Sequence, residues 1–398
     1  MRCDLSIVAT SRNDDHGGNL LHRMQLFVNG LLEQCRRHQL DAELILVDWN
    51  PPPDKPNLKE ALSYPVQNGR CDVRIIEVPP EVHSRFKYSD QLPLFQMIAK
   101  NVGIRRARAP FVLATNIDIL FSDEIMRFLC SQRLSRRRMY RVDRYDVKPN
   151  VPADVPIEQQ LEFCRNNVLR VHERRKPDYA PAHFELLSRG PFPSAWRDWQ
   201  RWPSTNAVRG LVQGDRHYLK DLWLLSQLRF EELQGHRFPN TLSRYFMLDL
   251  PVNLHTNACG DFTLLHSRYW QKVRGYPEFT SYCMHVDSLL CYMAHHAGAL
   301  EEVLADPMRI YHIEHATGSG DGAGAWRVSA APQSGRTPQT NGGAGGDKAT
   351  ASISRVTSDQ LTAWAREMRR AGRPLMFNSE DWGLAREELP ETVIQARD

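Results

Sequence analysis

Ala99-Lys-Asn-Val-Gly-Ile-Arg-Arg-Ala107 and, three residues later, Phe111-Val-Leu-Ala-Thr-Asn-Ile-Asp118 carry the fold assignment. Phe95, Ile98, Ala99 and Val102 recur at helical spacing and mark one inward face. Residues 111–115 are a short apolar run of strand length. A helix therefore feeds a buried strand that ends in polar residues. Because side chains alternate along a strand, Asn116 and Asp118 are expected to project to the same side. Such a pair holds a hard divalent cation between itself and a diphosphate, offsetting charge on a leaving nucleoside diphosphate. The other use of such a pair is to close an ordinary strand-to-helix turn.

The same rhythm runs outward in both directions. Residues 5–10, 43–48 and 73–78 are apolar runs of strand length, each ended by polar, Gly or Pro residues. Leu20, Met24, Phe27, Leu31 and Cys35 define a helix between the first two. Strands alternating with helices predict an α/β fold, with a mostly parallel central sheet covered on both faces. Ligands in such sheets sit beyond the C-terminal strand ends, at residues 10–15, 48–50 and 116–118. Ile157, Leu161, Cys164, Val168 and Val171 read as one amphipathic helix. Further along, 262–265 and 308–312 read as strands, and 267–273, 286–297 and 358–371 as helices. Residues 317–352 have almost no large apolar side chains and are expected to form a flexible loop. The expected divisions are 1–138, a nucleotide-binding α/β part; 139–253, an insertion; 254–316, a part completing the domain; 317–357, the loop; and 358–398, a helix and tail.

The 99–118 stretch resembles the nucleotide-sugar domain of GT-A glycosyltransferases, especially the large family-2-like group. There an A-x-N-x-G-I helix precedes a strand ending in D-x-D. Asn116 stands where the first aspartate would be, and Asp118 keeps the second, the more direct metal ligand of the family. The resemblance implies a Rossmann-like fold and a metal-dependent transferase, of hexosyltransferase type, using Mn2+ or Mg2+. It places Thr10, Arg12, Asp48, Lys100, Asn116 and Asp118 around the donor, with Asp48 at the nucleoside. Trp49 either stacks on the base or packs. Cys259-Gly-Asp-Phe-Thr-Leu-Leu265, Trp270 and Gly275-Tyr-Pro277 resemble the acceptor side, which assigns Asp261 and Trp270 to acceptor binding. His285-Val-Asp287 takes the place of the family's acidic pair, which makes Asp287 the implied general base and His285 the second choice. A helix N-terminal carboxylate is the simpler reading of Asp287. The resemblance also implies His312 as a metal ligand. Strand alternation places His312 and Glu314 on one side and His315 on the other.

Composition narrows the function classes. The 398 residues are 41% hydrophobic and 25% charged, with net charge +4, which suits a globular protein and argues against a nucleic-acid partner. No apolar run reaches the roughly 20 residues of a membrane span, and the start lacks an apolar signal core. A cytoplasmic location follows, with peripheral contact at the inner membrane face allowed; Arg133, Arg136, Arg137 and Arg138 either meet phosphates of a lipid-linked acceptor or form a solvated charged helix end. The eight cysteines form no CxxC pair and read as free thiols. Trp196, Trp199 and Trp202 are either a sugar-stacking platform or internal packing. The expected partners are a nucleotide diphosphate sugar and a saccharide or glycolipid acceptor, as in polysaccharide or glycoconjugate synthesis. The alternatives are a sugar-phosphate nucleotidyltransferase and a non-catalytic carbohydrate- or nucleotide-sugar-binding protein. The former lacks its Gly-rich, Arg-containing phosphate loop, since residues 10–15 are polar and acidic.

Overall fold

The computed structural model describes residues 3–64, 70–131, 133–173, 252–315 and 353–394. In chain order it begins with β1 (Leu5–Ser11), α1 (Leu20–His38), β2 (Ala42–Trp49), α2 (Leu58–Ala61), β3 (Cys71–Val78) and α3 (Pro80–His83). There follow α4 (Gln96–Arg105), β4 (Phe111–Thr115), β5 (Ile119–Phe121), α5 (Asp123–Cys130), β6 (Arg138–Val142) and β7 (Arg144–Val147). Next come α6 (Ile157–Asn166), β8 (Val168–His172), β9 (Phe262–His266), α7 (Ser267–Val273) and α8 (Val286–Ala297). The last are β10 (Leu300–Leu304), β11 (Ile310–Ile313), α9 (Ser358–Ala371) and β12 (Glu391–Ile394).

β1 and β2 are buried along their whole length, so the sheet needs a layer on each face. On one side Ile7, Ala9, Leu44 and Leu46 pack against Met24, Phe27 and Leu31 of α1. On the other, Val8, Ile45 and Val47 pack against Ile98 and Val102 of α4, and the same core takes in α7, α8 and α9. The central sheet has eight strands in the order β10-β6-β9-β4-β1-β2-β3-β12. All run in one direction except β9 and β12, so the expected mostly parallel α/β sheet is what forms. Two motif residues explain how its halves join. Gly103 lets α4 lie against β1, since a Cβ there would come 2.6 Å from Val8 Cγ1. Asn101 Nδ2 donates to Tyr276 O at 2.8 Å, and Tyr276 N–H donates back to Asn101 Oδ1 at 2.8 Å. The amide thus ties α4 to the Gly275-Tyr-Pro277 turn, where Gly275 has φ +71°.

Several expectations are corrected. The helix read over 157–171 ends at Asn166. Asn167 Nδ2 donates to Phe163 O at 2.9 Å and closes it, and Val168–His172 become β8, paired antiparallel with β7. Val168 and Val171 continue the helical stripe, and pairing with β7 overrides that spacing, leaving the two on opposite faces of β8. The 139–253 stretch is not an insertion from its start, because β6 lies inside the central sheet between β10 and β9. The strand read at 308–312 is β11, which belongs to a second sheet ordered β5-β11-β7-β8. Residues 174–251, with Trp196, Trp199 and Trp202, and 316–352 lie outside the described residues. None of the eight cysteines forms a disulfide.

Candidate functional site

β4 runs directly into the second sheet, and the candidate cation ligands collect at that junction. β4 stops at Thr115, and Asp118 lies in the turn to β5. β11 then pairs antiparallel with β5, placing His312 opposite Ile119, next to Asp118. Ile313 N–H donates to Asp118 O at 3.0 Å and fixes that approach. His312 Nε2 is 3.7 Å and His315 Nε2 3.4 Å from Asp118 Oδ2. One ligand atom from each of the three lies within 4.8 Å of the others. Asp118 Oδ1 is buried with no hydrogen-bond partner. Burial by itself would raise the Asp118 carboxyl, but His312, His315 and Arg23 outweigh it and hold the group well below the ordinary carboxylate range. His312 is shifted the other way: burial would lower it, and Asp118 and Asp146 raise it. A buried carboxylate with one oxygen, Oδ2, facing two imidazoles and the other, Oδ1, without a donor suits a divalent cation.

His315 corrects the alternation argument. β11 ends at Ile313, so the period of two no longer governs residue 315, and both histidines reach Asp118. Asn116 is corrected for the same reason. It lies beyond β4, and its amide is engaged by Gln96 and Asp261. Gln96 Nε2 donates to Asn116 Oδ1 at 3.0 Å, while Asn116 Nδ2 donates to Asp261 Oδ1. Asp261 is further held by Arg144, at 2.6 Å.

The donor-side residues are near the strand ends but engaged. Thr10 Oγ1 donates to Val47 O at 3.0 Å, and Arg12 Nε donates to Asn50 O at 3.0 Å. Asp48 Oδ2 accepts from Leu58 N–H at 2.7 Å, whereas its Oδ1 is buried without a partner. Burial pushes the Asp48 carboxyl up to about 7, with Glu77 adding to the rise and Leu58 N–H and Arg12 opposing it. Trp49 packs: it is buried, and its Nε1–H donates to His83 Nδ1 at 2.8 Å.

Two assignments are withdrawn on burial. Lys100 is 0% exposed, and its Nζ donates to Gly260 O at 2.7 Å, so it supports the site from beneath rather than touching donor. Burial lowers its pKa, and Asp261 and Asp287 oppose that. Trp270 is 0% exposed and donates to Val112 O at 3.1 Å, which makes it a core residue and not an acceptor platform. Asp287 lies in the first turn of α8, where Oδ2 accepts from Gly260 N–H at 2.9 Å and Oδ1 from Ser288 N–H at 2.8 Å. His285 Nε2 is 3.2 Å from Ser358 Oγ and turns toward α9.

Sequence reasoning missed Asp146, Arg144, His172 and Arg170. Asp146 is fully buried, with Arg144 Nε at 2.9 Å, Arg170 Nε at 2.8 Å and His172 Nε2 at 2.8 Å. The available signal was charge alternating with apolar residues in Arg144-Tyr-Asp-Val147 and in Val168-Leu-Arg-Val-His172, a pattern that sends charge inward from strands.

The sequence matches no protein-family profile and no curated protein. Among solved structures it is similar to S. aureus TarS 1–349, at 12% identity and TM-score 0.35, over 78% of this chain and 60% of that one. TarS 1–349 in complex with UDP-GlcNAc gives 11% and 0.37, over 79% and 60%. The mannosyltransferase PcManGT from Pyrobaculum calidifontis, in complex with GDP-Man and Mn2+, gives 12% and 0.34, over 79% and 57%. The chain thus spans under two thirds of each. Likeness this weak says nothing of activity, and the fold rests on the chain's own sheet order.

Proposed function

We propose that this chain is a glycosyltransferase that moves a sugar from a nucleotide diphosphate sugar to an acceptor hydroxyl, with Asp118, His312 and His315 holding a divalent cation. The observation that carries this reading is the buried Asp118 carboxylate at the end of β4, whose Oδ2 faces two imidazoles and whose Oδ1 has no hydrogen-bond partner. One carboxylate with two imidazoles suits manganese better than magnesium, which prefers oxygen ligands. Three protein donors leave positions open for diphosphate oxygens. When bound, the cation supplies charge neutralisation on the leaving nucleoside diphosphate.

The remaining roles belong to the chain. Asp48 is buried at the end of β2, so its proposed role at the nucleoside end is to hold the Leu58 backbone. Asp287 is the proposed base. As the acceptor oxygen bonds to the sugar carbon and the bond to the diphosphate breaks, the hydroxyl proton passes to Asp287. Its two backbone hydrogen bonds fix the carboxylate and leave further lone pairs to accept that proton. The test is release of nucleoside diphosphate from a panel of UDP- and GDP-sugars with manganese. Release that depends on Asp118 supports the reading; no release from any donor, with manganese bound, contradicts it.

A further inference from the structure

Among the described residues, one fully buried carboxylate behind the cation group has a task the proposed reaction does not use. β7 pairs parallel with β11 in a register that sets Asp146 beside His312. β8 pairs with β7 and brings Arg170 and His172 to the same carboxylate. Asp146 Oδ1 faces His312 Nδ1 at 3.1 Å and Arg144 Nε at 2.9 Å, and Oδ2 faces Arg170 Nε and His172 Nε2, both at 2.8 Å. The carboxylate has no exposed surface and both its oxygens are engaged, Oδ1 by His312 and the Arg144 ion pair and Oδ2 by Arg170 and His172. The alternative grouping of Asp146 with His312 and Glu314 is thereby set aside, since Glu314 is also paired, with Arg170 at 2.9 Å.

We infer that Asp146 is the positioning residue of the cation site. Its Oδ1 accepts the His312 Nδ1 proton, so the imidazole presents its Nε2 lone pair toward Asp118. The geometry assigns the two nitrogens different tasks: Nδ1 is within hydrogen-bond distance of Asp146, while Nε2, at 3.7 Å, is beyond hydrogen-bond distance of Asp118. A carboxylate behind a ligating histidine fixes its tautomer and ring orientation and raises its basicity, and losing it costs about 10–100-fold in metal affinity. This inference rests on the cation site proposed above.

The test uses Asp146→Leu, which has no acceptor. It leaves Arg144 with Asp261 and Arg170 with Glu314, so neither guanidinium is stranded. Nitrogen-15 NMR of histidine-labelled, metal-free protein at alkaline pH reads the tautomer, with the His312 signals assigned by their loss in His312→Gln. The wild type is expected to carry the proton on Nδ1 and Asp146→Leu to lose that preference. Manganese affinity by calorimetry is expected to fall about 10–100-fold in Asp146→Leu. Arg170→Met, which removes a partner of the opposite oxygen, is expected to keep both the tautomer and the affinity. A wild-type proton on Nε2, or wild-type manganese affinity in Asp146→Leu, overturns the inference. The wild-type tautomer needs no variant to fold. Failure of the wild type to bind manganese overturns the cation site itself, and the tautomer result separates that failure from a wrong role for Asp146.

Discussion

Asn116 differs from the aspartate that the D-x-D resemblance implies, and its surroundings require an amide. Its oxygen faces a donor, Gln96, and its nitrogen faces a carboxylate, Asp261. Asn116→Asp puts two carboxylates in contact. It is expected to cost about 1–3 kcal/mol of stability without improving manganese binding, and adding Asp261→Asn should recover much of the loss; thermal unfolding and calorimetry check both points. Asp287→Asn is expected to lower turnover by about 10²–10⁴-fold with little change in nucleotide affinity. Both Asp287 oxygens bind backbone N–H groups, so the amide of the variant must face one of them. Turnover is therefore read beside thermal unfolding, and near-wild-type turnover removes Asp287 from the mechanism. Asp48 gives a pH signature. Its carboxyl titrates near about 7 when folded and near about 4 when unfolded. Between those values the folded state holds the extra proton, so this group's contribution to stability falls as pH rises. Asp48→Asn should remove that slope, of at most about 1.4 kcal/mol per pH unit. Parallel wild-type and variant profiles would show that Asp48 ionises normally.

At the scale of elements, the A-x-N-x-G-I helix is a joint between the two halves of the fold. Gly103 brings α4 down onto β1, and Asn101 locks α4 to the turn after α7. Gly103→Ala is expected to destabilise by about 1–3 kcal/mol through overpacking against Val8, measured by denaturant unfolding. Unchanged stability would mean that α4 lifts without cost. The parallel half of the sheet was legible because β1 to β4 are short apolar runs punctuated by Gly, Pro or charge. α1, α7, α8 and α9 were legible from their spacing. β5, β6, β7 and β10 were not. Arg138-Met-Tyr-Arg-Val142 and Leu300-Glu-Glu-Val-Leu304 carry charge within the strand, and their identity as strands comes from partners distant in sequence. The end of α6 was misread because Val168 and Val171 continue the helical spacing, and it is pairing with β7 that makes 168–172 a strand.

Over the whole molecule, the second sheet makes the site. It carries His312, Asp146, Arg170 and His172 to the mouth of the first, and Arg144 bridges the two by pairing with Asp146 and Asp261. Asp118 and His312 were singled out as proposed cation ligands with the help of the GT-A resemblance. His315 and Asp146 were not, because their places depend on where β11 stops and on the β11–β7 register. No helix among the described residues is long and apolar enough to cross a membrane. The central claim is that Asp118, His312 and His315 hold the cation that receives the nucleoside diphosphate. Calorimetric titration of uridine and guanosine diphosphates into wild type and Asp118→Ala, with and without manganese, tests it most directly. The wild type is expected to bind one of them only with manganese, and Asp118→Ala to bind neither. Equal manganese-dependent binding by the two proteins would contradict the assignment.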